Sequence, residues 1–274
     1  MSSNQESNVL TVATQNLLLD KTGTAKGKVR PQHERISSAA ASLLDLSMPF
    51  DLVAVQEVQA GRYRHNGKKL AELVGYQPGY WQEHNQKLTP ESKRGRKGEF
   101  IGLFGSMVLA AESIDIGDNR RALLTSIANT AFVNIHWRAG ASPRGRRTRY
   151  THAERVLEAV SEFDSAVILG DFNEMPIPHL AKGRDLLREN GFESVFSKLE
   201  QPRPKTFPTH DYRHLRFGGR IRRSIDDIVV RGDRIRVVGA GLLHQVEKDD
   251  DSALPLCSDH EGLWARLEIT PKHD

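Results

Sequence analysis

The chain has 274 residues, 38% of them hydrophobic and 27% charged, a formal net charge of +4 and a single cysteine, Cys257. That length supports one large core, and a lone cysteine excludes both an internal disulfide and a multi-thiolate zinc site. The longest apolar runs, Leu52 to Val55 and Ala166 to Leu169, are far too short to span a bilayer, so no transmembrane segment is expected.

Met1 to Asn8 is polar and lacks a basic stretch followed by an apolar one, which reads as a disordered tail (residues 1–8) on a cytoplasmic protein. A strand runs from Val9 to Leu18. Pro31 to Leu46 puts Ile36, Ala39, Ala40, Leu43 and Leu44 at helical spacing, and Asp51 to Val58 then reads as a buried strand. A short helix is expected around Lys68 to Val74, followed, after a basic loop, by strands at Phe100 to Ala110, Arg121 to Ile127 and Ala131 to Trp137. Tyr150 to Phe163 predicts a helix with Ala153, Val156, Leu157 and Val160 on one face, leading into the strand Ala166 to Leu169, which Gly170 ends. His179 to Asn190 predicts another helix closed by Gly191, and strands follow at Ser224 to Val230, Arg234 to Leu243 and Gly262 to Ile269. The alternation of β-branched and helical segments gives an α/β class, and no repeat or linker divides residues 9–270.

Positive charge is concentrated in three segments expected to be loops. Lys87 to Lys97, Arg138 to Arg149 and Arg203 to Arg223 hold 17 of the 39 Lys and Arg residues but only Glu91 and Asp211 of the 35 acids, leaving the rest acidic by 11 charges. Basic loops on an acidic body suit a polyanion, because Lys and Arg contacts to phosphate supply most sequence-independent nucleic-acid affinity. Arg144, Arg146, Arg147, Arg149, Arg220 and Arg222 are the expected substrate-binding residues. Solvated loops would look the same.

Several polar residues fall at expected strand ends: Asn16 in Thr14-Gln-Asn-Leu, Glu57 closing Leu52-Val-Ala-Val-Gln-Glu, His136 closing Phe132-Val-Asn-Ile-His, and Asp171 after Val167-Ile-Leu-Gly. Unpaired carboxylates are costly inside a strand core, so these residues are better explained by one solvent-reachable site. Glu57 and Asn16 offer hard oxygen donors for Mg²⁺ or Mn²⁺. Asp171 binds through the metal or positions a water, and Asn173, two residues on, donates to a phosphoryl oxygen. His260, in Ser258-Asp-His, is the general-base candidate, oriented by one carboxylate of the pair Asp226 and Asp227, and Asp259 touches the metal through water. Singly, these strings also fit ordinary turns and surface carboxylates. His210 and His214 have no third zinc ligand nearby, and Trp137 is expected to pack in the core or to stack on a substrate base.

Taken in order, the strings resemble the endonuclease/exonuclease/phosphatase superfamily, which includes DNase I-like nucleases, apurinic-site endonucleases, tyrosyl-DNA phosphodiesterases and inositol-polyphosphate phosphatases. Thr14-Gln-Asn16 resembles its first-strand Asn motif, Val55-Gln-Glu57-Val its metal-binding motif, Asn134-Ile-His136 its Asn-x-His motif, Gly170-Asp171-Phe-Asn173 its Gly-Asp-x-Asn motif, Ile225-Asp226 its Ile-Asp motif and Ser258-Asp259-His260 its closing motif. The resemblance implies a four-layer sandwich, two mixed β-sheets packed face to face and flanked by helices, forming one catalytic domain over residues 9–270. It also implies that His136 contacts phosphate, and it selects Asp226 over Asp227. Gln59 stands where DNase I-like enzymes carry an arginine, and the tyrosine of apurinic-site endonucleases has no counterpart motif. Ser258-Asp-His-Glu-Gly-Leu resembles the corresponding stretch of tyrosyl-DNA phosphodiesterases.

The expected function is a divalent-metal-dependent nuclease on DNA or RNA. A hydrolase of phosphoinositides, phospholipid headgroups or other small phosphate esters is the alternative, and a non-catalytic nucleic-acid-binding scaffold a further one. Nothing in the sequence points to a protein partner.

Overall fold

The computed structural model describes residues 8–17, 32–61, 64–83, 98–140, 142–175, 181–207, 222–243 and 258–271. The expected substrate-binding residue Arg220, the discounted pair His210 and His214, and all but Asn8 of the expected tail lie outside them. Among the described residues no helix is long and apolar enough to cross a membrane. In chain order the elements are β1 (Asn8–Asn16), α1 (Gln32–Asp45), β2 (Leu52–Gly61), β3 (Arg64–His65), α2 (Asn66–Val74), β4 (Tyr80–Glu83), β5 (Gly98–Phe104), β6 (Glu112–Gly117), β7 (Arg120–Ile127), β8 (Thr130–His136), α3 (Pro143–Ala159), β9 (Ser165–Asp171), α4 (Lys182–Glu189), β10 (Glu193–Ser194), α5 (Val195–Lys198), β11 (Asp226–Arg231), β12 (Ile235–Leu243) and β13 (Gly262–Ile269).

They form a seven-stranded sheet, ordered β12-β13-β1-β2-β5-β4 with β3 beside β2, and a six-stranded sheet, ordered β10-β11-β9-β8-β7-β6. Both are mixed: β1 runs parallel to β2 and β8 parallel to β9, while the other pairings are antiparallel. Side chains alternate across each strand, so β1 gives Leu10 and Val12 to one core and Ala13 to another. Leu10, Val12, Leu52, Ile101 and Leu103 meet Phe132, Val167, Leu169 and Ile228 between the sheets. Ile36, Ala39 and Leu43 of α1 and Leu70 of α2 cover the outer face of the first sheet, and Ala153 and Val156 of α3 with Leu187 of α4 cover the second. The result is the four-layer α/β sandwich expected from the sequence.

Three local differences matter for the site. The basic stretch read as a loop is the opening of a helix: α3 starts at Pro143, where a fixed φ suits the first helical position, and Ser142 caps it by accepting from the Gly145 N–H at 3.1 Å. Gly170 does not end a strand but lies within β9 at φ 139°, where a Cβ would fall 2.1 Å from the Ile135 carbonyl oxygen, so only glycine allows β8 and β9 to approach there. Glu57 does not close β2 either. It sits inside the strand at a bulge between Val55 and Val58, with φ 52°.

Candidate active site

Strand direction collects the polar residues at one rim. The parallel strands β1 and β2 end side by side near Asn16, which pairs with Gln56, and β8 and β9 end with His136 opposite Asp171. Antiparallel β11 begins at the same rim, with Asp226 opposite Asp171, and His260 lies two residues before β13, whose Leu263 pairs with Thr14. All eight expected reaction-centre residues, Asn16, Glu57, His136, Asp171, Asn173, Asp226, Asp259 and His260, therefore come to this end of the sandwich.

Beneath them buried amides tie the two sheets together. Gln56 Nε2 donates to Asn134 Oδ1 at 2.8 Å and to Thr14 Oγ at 3.0 Å, while Asn134 Nδ2 donates to the carbonyls of Gly102 at 2.7 Å and Val55 at 3.1 Å. Gln15 Nε2 reaches the carbonyls of His260 at 3.1 Å and Asn16 at 2.9 Å. These are the neighbours of the acidic and imidazole residues within the sequence motifs. They fix the separation of the sheets under the rim, because a buried polar group that lost its partner would cost about 1–3 kcal/mol.

Asp171 Oδ2 is the hub. It accepts from Asn173 Nδ2 at 3.0 Å and Asn16 Nδ2 at 3.2 Å, and lies 3.6 Å from His136 Nε2 and 4.0 Å from His260 Nε2. The other oxygen, Oδ1, accepts from the Asn173 backbone N–H at 2.7 Å, a geometry held by Asn173 at φ 49°. Burial and the negative charge of Asp226 push the Asp171 carboxyl up to about 7, against the opposing influence of His260 and the Asn173 N–H.

His260 Nδ1 lies 2.9 and 3.1 Å from the two oxygens of Asp226, so that Nδ1 is committed and Nε2 faces Asp171. Its ring packs against Phe207, centroids 4.7 Å apart. Burial alone would lower this imidazole, but the charge and hydrogen bond of Asp226, followed by Asp171 and Asp259, outweigh it and hold the pKa well above 6.5. Asp259 is buried beside it. The neighbouring Asp227 points the other way, accepting from Ser194 Oγ at 2.8 Å and pairing with Arg184 and, at 3.2 Å, with Arg203.

On the other flank, His136 Nε2 is 3.8 Å from Glu57 Oε1, and its Nδ1 is 3.1 Å from Glu99 Oε1. Glu99, on β5, carries no motif and escaped the sequence reading, since it reaches His136 across the gap between the sheets. Glu57 Oε1 also accepts from Asn16 Nδ2 at 3.3 Å. A non-glycine residue at positive φ costs on the order of 1 kcal/mol, and here the bulge turns the Glu57 carboxylate toward the rim.

The basic residues separate. Arg144 and Arg147 are exposed on the first turns of α3, and Arg146 is half-buried. Arg149 is buried, donating to Glu174 at 3.0 Å and to the carbonyls of Gly140 and Arg138, so it braces the start of α3 instead of facing solvent. Arg222 is half-buried and pairs with Glu261. Trp137 is fully buried against Phe172, centroids 4.9 Å apart, and is a core residue with no face for a base.

The donor set fits a divalent cation. Carboxyl oxygens of Asp171 and Asp226 and a ring nitrogen of His260 lie within 4.8 Å of one another. Among the described residues the carboxylates of Glu57, Glu99, Asp171, Asp226 and Asp259 share the rim with the imidazoles of His136 and His260, a set rich in hard anionic oxygen.

The sequence matches no protein-family model and no curated protein. Its fold, however, is that of solved structures. An endonuclease/exonuclease/phosphatase family protein from Leptotrichia buccalis superposes with a TM-score of 0.68 at 15% identity, covering 95% of this chain and 100% of that one. D. rerio TDP2 complexed with single-strand DNA product gives 0.65 at 16% identity, covering 95% and 99%. The 3′ phosphatase NExo from Neisseria, bound to product DNA hairpin, gives 0.64 at 14% identity, covering 93% and 98%. The chain has the endonuclease/exonuclease/phosphatase fold.

Proposed function

We infer that the protein is a divalent-metal-dependent phosphodiester hydrolase acting on nucleic acid. The observation that carries this reading is the convergence of the His260–Asp226 pair with Asp171, Asn173, Asn16 and Glu57 at one strand-end rim. Its fold is shared with structures that hold DNA, D. rerio TDP2 and Neisseria NExo, and three basic segments interrupt an otherwise acidic sequence.

His260 suits the part of general base. Asp226 holds its Nδ1, fixes the ring and stabilises the imidazolium formed when Nε2 takes a proton from water. Asp171, at 4.0 Å from that Nε2, positions the same water, and its own geometry is set by the two Asn173 donors. His136, with Glu99 close to its Nδ1, presents Nε2 to the phosphoryl oxygens. Glu57, Asn16 and Asp171 are the oxygens that would hold Mg²⁺ or Mn²⁺, with Asp259 reaching it through water. Bound there, the cation would neutralise phosphate charge and polarise the phosphorus–oxygen bond.

The test incubates the purified protein with Mg²⁺ or EDTA and a panel of labelled single- and double-stranded DNA, RNA, abasic DNA and inositol phosphates. Cleavage of a nucleic acid, dependent on Mg²⁺ and reduced about 10²–10⁴-fold in His260→Ala, is expected. Undiminished cleavage by that variant sinks the base assignment. Turnover confined to inositol phosphates would establish a small-ester hydrolase, and no turnover at all a scaffold.

A further inference from the structure

A cavity of about 350 Å³ lies on the outer face of the second sheet, bounded by α4, β10, α5 and β11. It shares no residue with the reaction centre. Phe172 follows Asp171 and Asp227 follows Asp226, and the second member of each pair turns away from the rim, Phe172 into the wall of this cavity and Asp227 onto the arginines beside it. The remaining apolar wall is Leu187, Phe192 and Val229, all of them part of the outer core of that sheet.

Three guanidiniums, those of Arg184, Arg188 and Arg203, line the same space. Arg184 and Arg203 share one carboxylate oxygen, Asp227 Oδ2, at 2.5 and 3.2 Å. Arg184 is fully engaged: its Nε donates to the Glu174 carbonyl at 2.8 Å, its Nη2 to the Ile225 carbonyl at 3.1 Å, and its plane lies over the Phe172 ring. Arg203 is not. Its Nε is buried and has no hydrogen-bond partner among the described residues. Burial lowers the pKa of this guanidinium from its usual value, Asp227 opposes the shift and the charge of Arg184 adds to it. The two acids in the lining already have cations, Asp185 with Arg188 at 3.0 Å and Glu193 with Lys198 at 3.3 Å. A buried cationic donor without an acceptor is costly, and an oxyanion is the acceptor that matches a guanidinium fork.

We propose that this cavity is a binding site for a small organic oxyanion, a carboxylate or phosphate ester on a compact apolar body, with its charged oxygens on Arg203 and its body against Phe172, Leu187 and Phe192. The volume lies at the low end of the range that encloses small ligands, about 300–1,000 Å³, so it admits a single ring with its head group. Each half of the ligand answers one half of the lining. A bare inorganic anion leaves the apolar wall uncovered, and a neutral ring leaves Arg203 without its acceptor. The exposed Arg188 adds a cation to the approach. The site is independent of the reaction proposed above, because none of its residues takes part in it.

Binding can be read without metal or turnover, by calorimetric titration in EDTA with benzoate, phenyl phosphate, the neutral benzamide and inorganic phosphate. Benzoate or phenyl phosphate is expected to bind saturably at one site, at least tenfold tighter than benzamide or inorganic phosphate, and the tighter of the two names the head group. Arg203→Gln should weaken that binding about tenfold. Ser197→Phe should abolish it by filling the cavity. Ser197 is exposed on α5 and outside the Asp227 ion pairs, so this variant reads the site even where Arg203→Gln unfolds. Arg146→Gln, on α3, is the control for general attraction of anions to basic surface and should bind like wild type. Benzamide or inorganic phosphate binding as tightly as the organic anions overturns the site. So does binding that survives Ser197→Phe or that is lost equally in Arg146→Gln, and so does absence of saturable binding by either organic anion.

Discussion

Adjacent aspartates divide the molecule into two ways of handling buried charge. Asp227 looks toward the outer face of the second sheet, where Arg184, Arg203 and Ser194 satisfy it and where Glu174 is likewise matched by Arg149. Even the Arg184 guanidinium is employed twice, stacking on Phe172 at 4.3 Å from the ring centroid. Asp226 looks toward the rim, where it pairs with His260 and where, among the described residues, carboxylates crowd together and one of them, Asp171, is pushed up to about 7. Matched charge fixes a structure. The carboxylates crowded at the rim are tolerated by shifted protonation, and they leave oxygen donors ready for a cation.

Neutralising each aspartate should break this contrast in opposite directions. Asp226→Asn is expected to lower turnover about 10²–10⁴-fold at little cost in stability, because it strips the imidazole of its orienting anion. It should also move the acid limb of the pH–rate profile downward, since the base acts deprotonated and the Asp226 charge is what raises His260. An unshifted limb would mean that another group titrates there. Asp227→Asn should instead lower unfolding free energy by about 3–5 kcal/mol, leaving buried arginines without their carboxylate, while molecules that remain folded keep near-normal kcat. Denaturant unfolding and single-turnover rates on both variants separate the two outcomes.

A smaller effect concerns pH. Asp171 binds its proton more tightly when folded than when unfolded, so its contribution favours the native state most below pH 3.8 and is lost as pH rises through about 7. In EDTA, wild type should therefore lose more thermal stability between pH 4 and 7 than Asp171→Asn does. Parallel Tm curves for the two proteins would show that Asp171 is not strained by its surroundings.

Much of the rim was legible in the sequence because Asn16, His136, Asp171, Asp226 and His260 sit in short strings at or near strand ends, and strand direction does the rest; Glu57, inside β2 at a bulge, was read at the wrong place in its strand but in the right motif. Glu99 was not, because its contact with His136 joins β5 to β8 across the sheets and leaves no local spacing to read. The amides Gln56 and Asn134 stood in view inside the motifs, yet only the packed sheets reveal them as the polar joint between layers. The opening of α3 was hidden by its own arginines: Ser142-Pro143 is a helix-start signal, but a first turn without acids and a polar run through Arg149 read as a loop. Edge strand β6, whose residues are mostly exposed or half-buried, lacks the apolar run that announced the inner strands.

The most direct measurement of the contrast is a calorimetric titration of Mn²⁺ into metal-free wild type, Glu57→Gln, Asp171→Asn and Asp227→Asn. Saturable binding in wild type, lost or weakened at least tenfold in Glu57→Gln and Asp171→Asn and retained in folded Asp227→Asn, is the predicted result. Binding that survives both rim substitutions, or that disappears only with Asp227, would contradict the assignment of the carboxylate rim as the cation site.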